Sequence, residues 1–173
     1  GHHRYAAYLE RQLREPYRPG AEVGLAMLVD YIRHPLTLDP IHRVVPGLSL
    51  EIVRTHTPTG WQMQPGRVDG DPDRISITDG TSWLTLHTDV DTPTVALLHE
   101  VLLPAWGVVE EDISFHHTLA DALALAGPQQ AAVELAAPRM DQVLRSAAHG
   151  VVLPQKATSF GPKPRVGLLF RML

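Results

Sequence analysis

The opening residues Gly1, His2, His3 and Arg4 carry side chains that suit phosphate binding. A helical pattern, Tyr5–Arg14, follows them directly. The first N–H groups of a helix lack intrahelical acceptors, and the helix dipole adds partial positive charge there. Arginine can bind phosphate oxygens through two parallel hydrogen bonds, and histidine can donate a hydrogen bond or transfer a proton. We therefore expect Gly1 and Arg4 to bind phosphate and His2 and His3 to be catalytic candidates. The alternative is a tag remnant or a frayed chain end, although no linker separates these residues from the helix.

Lysine is rare in this chain, which makes its two positions informative. The sequence has 13 arginines but only Lys156 and Lys163, both in one proline-rich segment. A lysine offers a compact ammonium charge that the planar guanidinium of arginine does not reproduce. This segment is therefore a second candidate for contact with an anion.

Three segments resemble one bacterial family in the same order along the chain. They are GHHRYAAY at 1–8, LDPIHR at 38–43 and LPQKATSFGPKP at 153–164. The chain resembles the family called domain of unknown function 1015 and, more distantly, the ParB and sulfiredoxin superfamily, where a similar turn and helix bind nucleotide phosphates. The family pattern near the end reads MPPKST, and this chain departs from it at Leu153, Gln155 and Ala157.

The resemblance implies one shared phosphate site. It adds His42, Arg43, Lys156, Thr158 and Lys163 to the first motif. A surface ion or cap contact is the alternative role for His42 and Arg43. The family also implies an N-terminal half that precedes Gly1, so we expect residues 1–173 to be a single domain that is the C-terminal portion of a longer protein truncated at the GHHRY motif. That missing half would be a partner in any activity.

The resemblance and the residues together lead to a functional expectation. Such a site suits a small-molecule kinase or nucleotidase that uses ATP, ADP or CTP with Mg, because positioning and electrostatics supply most of the catalysis in phosphoryl transfer. A non-catalytic nucleotide-sensing or interaction module of ParB-like type is the alternative, and a structural fragment without activity is the third. No P-loop, G-x-G-x-x-G or G-x-S-x-G motif occurs.

Composition narrows the class of protein. The 173 residues are 44% hydrophobic, enough for a substantial core, and the chain has no cysteine, which excludes disulfides and thiolate metal sites. A formal charge of −4 makes nucleic acid an unlikely partner. No apolar run is long enough for a membrane span. These features fit a cytoplasmic protein, and we predict no metal site.

The elements that position these residues predict an α+β fold, a mixed and mostly antiparallel sheet with about four helices packed against it. The clearest signal is a hairpin at Asp79-Gly80 whose inner face carries Ile75, Ile77, Leu84 and Leu86. Further predicted strands are Val23–Ile32 (buried, or alternatively a buried helix), 49–55, 113–117, 131–135 and 166–173. Residues 34–47 and 58–73 are predicted to be irregular.

Three helices follow from local signals. Thr92 and Pro93 begin one that ends at Pro104, Thr118 caps another with Asp121 in the capping-box position, and Pro138 begins a third that ends at Gly150. In the third, Met140, Val143, Leu144 and Ala147 are spaced as a core stripe.

Overall fold

A computed structural model describes residues 2–69 and 71–163, and for residues 2–4 it describes the backbone alone. The chain divides into two compact units. One contains Gly1–Leu36 with Pro162–Leu173, and the other is Thr37–Gly161. The predicted strand at 166–173 lies outside the described residues.

The first unit contains helix α1, His2–Arg14. The helix begins at the GHHR motif, as predicted. Arg11 and Arg14 lie in its last turn, where the helix dipole favours positive charge, and Arg14 forms an ion pair with Glu10. Beyond the helix, Gly24 packs so closely on Tyr8 that a Cβ would approach the ring to 2.9 Å. This contact explains why a residue without a side chain occupies position 24.

The prediction of a buried strand at Val23–Ile32 is wrong. The segment is irregular, and Leu28 and Ile32 are more than nine-tenths exposed. A strand needs a neighbour to satisfy its N–H and C=O groups, and no strand in the described part of the chain pairs with this run. Hydrophobicity alone does not provide that neighbour.

The second unit is built on a six-stranded sheet in which every described pairing is antiparallel. The strand order is β3-β5-β4-β7-β2-β6, and β1 pairs with β8 in a separate two-stranded ribbon. The predicted α+β class is confirmed. The strands are β1 (Thr37–Asp39), β2 (His42–Pro46), β3 (Gln62–Pro65), β4 (Arg74–Thr78), β5 (Trp83–His87), β6 (Ser114–His116), β7 (Gln130–Leu135) and β8 (Ser159–Gly161).

Short helices pack against this sheet. None of the helices among the described residues has the length and hydrophobicity that a membrane crossing requires. The helices are α2 (Leu50–His56), α3 (Thr94–Leu97), a π-helical turn (Leu98–Leu102), α4 (Leu103–Ala105), a 3-10 turn (Glu110–Asp112), α5 (Leu119–Leu123) and α6 (Met140–Ala148).

The core lies on the face of the sheet that the hairpin pattern predicted. Ile75, Ile77, Leu84 and Leu86 are all buried, in register across β4 and β5. They belong to one cluster with Leu98, Leu102, Leu103 and Trp106 from the helical segment that follows β5. Alternation along each strand therefore separates this apolar face from a second face that carries Ser76, Thr78 and Thr85.

Three predictions for residues 34–73 are wrong. The proline-rich stretch 34–47 contains β1 and the buried strand β2, because its prolines lie beside or at the end of the strands rather than within them. Residues 49–55 are mostly helix α2, capped by the Ser49 side chain, which accepts from the Ile52 N–H. The stretch 58–73 contains the edge strand β3. A seven-residue alternation fits a helix with a two-turn apolar stripe as well as a strand.

The later elements follow the prediction more closely. The β6 and β7 strands form, and Thr118 caps α5 by accepting from Asp121 N–H. The helix after Pro93 also forms, although Pro93 rather than Thr92 is its N-cap residue. The prediction of a core stripe on α6 is wrong, because Leu144 is 61% exposed and the buried residue of this helix is Gln142.

Candidate functional site

Strand β2 directs the two predicted site residues His42 and Arg43 to opposite faces of the sheet. Successive side chains on a strand alternate between faces. Arg43 pairs with Val133 and Phe115 on the core face, whereas His42 pairs with His116 on the other. No single phosphate group can therefore contact both side chains. The sequence made them neighbours, and the strand separates them.

Arg43 is fully buried and forms hydrogen bonds with the chain segment that carries Lys156. Its Nη2 donates to the backbone carbonyls of Gln155, at 3.2 Å, and Lys156, at 3.0 Å. Its Nη1 donates to Ile41 O, and its Nε donates to His99 Nε2 at 3.2 Å. Burial lowers the pKa of Arg43 to about 10, so the guanidinium stays protonated at neutral pH. The fork holds protein groups, which leaves it little capacity for a ligand.

His99 completes this arrangement from the π-helical turn. Because His99 Nε2 accepts from Arg43, its proton lies on Nδ1, which is 2.7 Å from Glu110 Oε1. Burial and the neighbouring guanidinium lower the pKa of His99, and Glu110 opposes that shift. Phe115 covers both groups, with the Arg43 guanidinium 4.8 Å from its ring centre. Both imidazole nitrogens are thus occupied.

The Arg43 fork holds a turn in which Lys156 adopts an unusual conformation. Ala157 N–H donates to Pro154 O, and Lys156 at the third position has φ of +56°. A type II turn requires this left-handed position, which normally takes glycine or asparagine. Ala157 is buried in the core, and β8 begins two residues later. The turn is therefore fixed on both sides while Lys156 itself is exposed.

The other predicted phosphate residues have less defined surroundings. Lys156 forms no ion pair with any residue that the structure describes, and neither does Lys163. Thr158 is half-buried between the turn and β8. His2, His3, Arg4 and Lys163 belong to the first unit, with Gly1, whereas Lys156 and Thr158 belong to the second. The structure thus brings Arg43 to the Lys156 turn and puts His42 elsewhere.

His42 lines a polar pocket of about 310 Å³ on the second face of the sheet. The Leu135 N–H donates to His42 Nδ1 at 3.4 Å, and burial lowers the pKa of the imidazole, which favours the neutral ring with its proton on Nε2. The pocket wall includes Arg67 and Asp71, which precede β4, and Arg74 at the start of that strand. Arg67 binds Glu134 through both Nε and Nη2, at 2.6 and 2.7 Å, and Arg74 binds Asp71 at 2.6 Å.

Sequence reasoning missed these pocket residues and His99. Arg67 and Glu134 are 67 positions apart, so no local spacing indicates their contact. His99 did offer a signal, because it is the one imidazole within the apolar segment Val95–Leu103 and a buried polar group needs a partner. Within the described ranges, no group of three histidine or acidic residues is arranged to hold a metal ion.

Comparison with known proteins identifies the family. A family model described as protein of unknown function (DUF1015) matches residues 1–99. The chain belongs to this family. The match includes the GHHRY and LDPIHR segments but ends before the Lys156 turn. Neither the curated proteins nor the solved structures contain a match to the chain.

Proposed function

We propose that this protein binds the phosphate groups of a nucleotide and that the turn at Lys156 supplies positive charge to them. One observation carries the proposal. The buried Arg43 binds the Gln155 and Lys156 carbonyls of the turn, and the residue in the left-handed position is a lysine rather than a glycine. A non-glycine residue there costs of order 1–3 kcal/mol, and such strain is concentrated at functional sites.

The chemistry of the turn supports an anionic ligand. The Lys156 ammonium is exposed and forms no ion pair with the described residues, so it can reach a phosphate without breaking an internal contact. Thr158, two residues on, offers a hydroxyl that can donate to a phosphate oxygen. In this proposal Arg43 is a positioning residue, because its guanidinium holds the turn.

The first unit offers a separate set of anion-binding groups. Helix α1 starts at His2, so the N–H groups of its first turn, which lack intrahelical acceptors, include those of His2, His3 and Arg4. Lys163 adds an ammonium group in the same unit. We propose that these residues, with His2 and His3 as the proton-transfer candidates, bind or act on the same class of ligand. Their contribution is tested by variants of their own.

The activity that we propose is phosphoryl transfer or hydrolysis, in a small-molecule kinase or nucleotidase that uses Mg. Non-catalytic nucleotide sensing is the second candidate, and one observation favours it. His99 is the imidazole bound to the arginine that holds the turn, and both its nitrogens are engaged, so it has no free position for proton transfer. Any acid or base has to come from other residues, such as His2 and His3.

Calorimetric titration of the full-length protein with ATP, ADP and CTP, with and without Mg²⁺, tests binding. We expect Lys156→Met, which keeps an unbranched side chain of similar length and removes the charge, to weaken affinity by about tenfold or more. Arg54→Gln is the control, because Arg54 is exposed and has no ion pair in the described structure, and this change should leave nucleotide affinity unchanged.

Two results would contradict the proposal. None of the three nucleotides would bind, or binding would be the same in Lys156→Met as in the wild type. Nucleotide turnover that Arg4→Ala or His3→Ala abolishes would identify an enzyme. Binding with no turnover would favour the sensing module.

A further inference from the structure

The polar pocket around His42 has a floor that the sheet register determines. Ser76 pairs with Glu134 across β4 and β7, and the register of β2 with β7, continued by one residue, puts His42 opposite Glu134. These three side chains thus form a row on the face opposite the core. The wall contains Arg67, Asp69 and Asp71, which precede β4, and Arg74 at the start of that strand.

Several hydrogen-bond donors of this pocket are not used by the described residues. His42 is 95% buried, and its Nδ1 is an acceptor, so its Nε2–H is a donor that has no partner in the described structure. His42 Nε2 is not among the buried side-chain atoms that lack a hydrogen bond, so it remains accessible to solvent through the pocket. Arg74 uses only Nε on Asp71, which leaves its two terminal nitrogens available.

The carboxylates of the pocket provide the complementary acceptors. Glu134 is held by both Arg67 nitrogens, and Asp69 accepts from the same guanidinium at 2.7 Å. These contacts fix the carboxylates without using all of their lone pairs, since an ionised carboxylate can accept about four hydrogen bonds. Donors and acceptors are therefore both available on preorganised side chains.

The balance of charge determines which ligand fits. With His42 neutral, two arginines face three carboxylates, which gives a formal charge of −1. A phosphate dianion would meet a net negative wall, and a simple cation would meet two guanidinium groups. A molecule with one carboxylate and one ammonium group complements both sets. A volume of about 310 Å³ is at the lower end of small-molecule pockets.

We propose that this pocket binds a small zwitterion of the free amino-acid class. The ligand carboxylate accepts hydrogen bonds from His42 Nε2 and the Arg74 guanidinium, and the ligand ammonium group binds the Asp69 and Asp71 carboxylates. This site is separate from the Lys156 turn, because His42 and Arg43 lie on opposite faces of the sheet.

Thermal-shift screening of the full chain with a mixture of the standard L-amino acids, followed by calorimetry on each one that binds, tests the proposal. We expect saturable binding by at least one amino acid. Its N-acetyl derivative and its methyl ester should each bind about tenfold more weakly or worse, because each lacks one of the two charges. Inorganic phosphate should not compete.

Two variants locate the site. Arg74→Gln removes the guanidinium, and His42→Asn keeps an acceptor near the Nδ1 position while it removes the Nε2 donor. Each should weaken amino-acid binding by about tenfold or more, whereas Lys156→Met and Arg54→Gln should not affect it. Circular dichroism checks that the variants fold.

Three results would overturn the proposal. No amino acid would bind the wild-type chain, the blocked derivatives would bind as well as the parent compound, or folded Arg74→Gln would bind with unchanged affinity. None of these results depends on whether the Lys156 turn binds nucleotides.

Discussion

Replacing Arg43 with alanine should destabilise the second unit by about 3 kcal/mol, because this guanidinium donates four hydrogen bonds, three of them to residues that are distant in sequence. Two of the acceptors, Ile41 O and His99 Nε2, are in buried residues, and each costs about 1–3 kcal/mol when it is left without a donor. The carbonyls of Gln155 and Lys156 are in exposed residues and can bind water instead. Their loss should contribute less.

The desolvation of the buried charge reduces the net stabilisation that these hydrogen bonds provide. Burial lowers the pKa of Arg43 to about 10, so the guanidinium has a desolvation cost in the folded state that alanine removes. The two buried acceptors left without a donor together cost about 2–6 kcal/mol, and we take a value in the lower half of this range because the desolvation cost is removed. Arg43→Lys keeps the charge but not the fork, and its stability should lie between those of the wild type and Arg43→Ala.

Urea unfolding followed by tryptophan fluorescence measures this difference. All three tryptophans, Trp61, Trp83 and Trp106, lie within Thr37–Gly161, so the signal reports on the second unit. Hydrogen exchange at Ala157 N–H, which closes the turn, should accelerate in Arg43→Ala more than exchange in β4. Arg54→Ala, an exposed arginine on α2, is the matched control and should change the unfolding free energy by no more than about 0.5 kcal/mol.

The reasoning fails if Arg43→Ala costs less than about 1 kcal/mol, the size of one ordinary hydrogen bond. It also fails if Arg43→Lys is as stable as the wild type, since an ammonium group cannot reach the two turn carbonyls, Ile41 O and His99 at once. In either case the turn at Lys156 would be held by something other than the arginine fork.

Three other changes test the remaining features. The pKa of His99 and that of His42 are both below the usual 6.5, so the unfolded chain takes up protons before the folded chain does. The free energy of unfolding should therefore fall as the pH decreases from 6.5 towards the folded-state pKa values. Denaturation at a series of pH values measures this fall, and a profile that is flat below pH 6.5 would contradict it. Lys156→Gly should relieve the left-handed strain and raise the unfolding free energy by about 0.5–1 kcal/mol while it weakens nucleotide binding, and equal stability with Lys156→Ala would argue against strain. Leu144→Gln on α6 should change stability by less than about 0.5 kcal/mol, because the side chain is 61% exposed, and a loss above about 2 kcal/mol would indicate a buried leucine.

The sequence by itself determined the elements whose signals are local. Asp79-Gly80 gave the hairpin because the side chain of Asp79 accepts from the Thr81 and Ser82 N–H groups and Gly80 has φ of +89°. Thr118 gave the start of α5 because an N-cap needs only a hydroxyl three residues before an N–H. The beginning of α1 at the GHHR motif and the family of the chain were also predictable from short strings of residues.

Tertiary structure decided what depends on neighbours distant in the chain. Val23–Ile32 has the composition of a core strand but no pairing partner among the described residues, and hydrophobicity does not specify one. The α6 stripe has the spacing of a core helix, yet Gln142 is buried there and Leu144 is not, because spacing does not say which side of a helix faces the rest of the protein.

The candidate site shows the same limit. A motif lists His42 and Arg43 together, but pleating of β2 sends one to the polar pocket and the other to the core. The partners of Arg43 are 56 to 113 residues away in the sequence, except for Ile41, so its role could not be read from its surroundings in the chain. Residue type suggested the chemistry, and the fold determined which groups can take part in it.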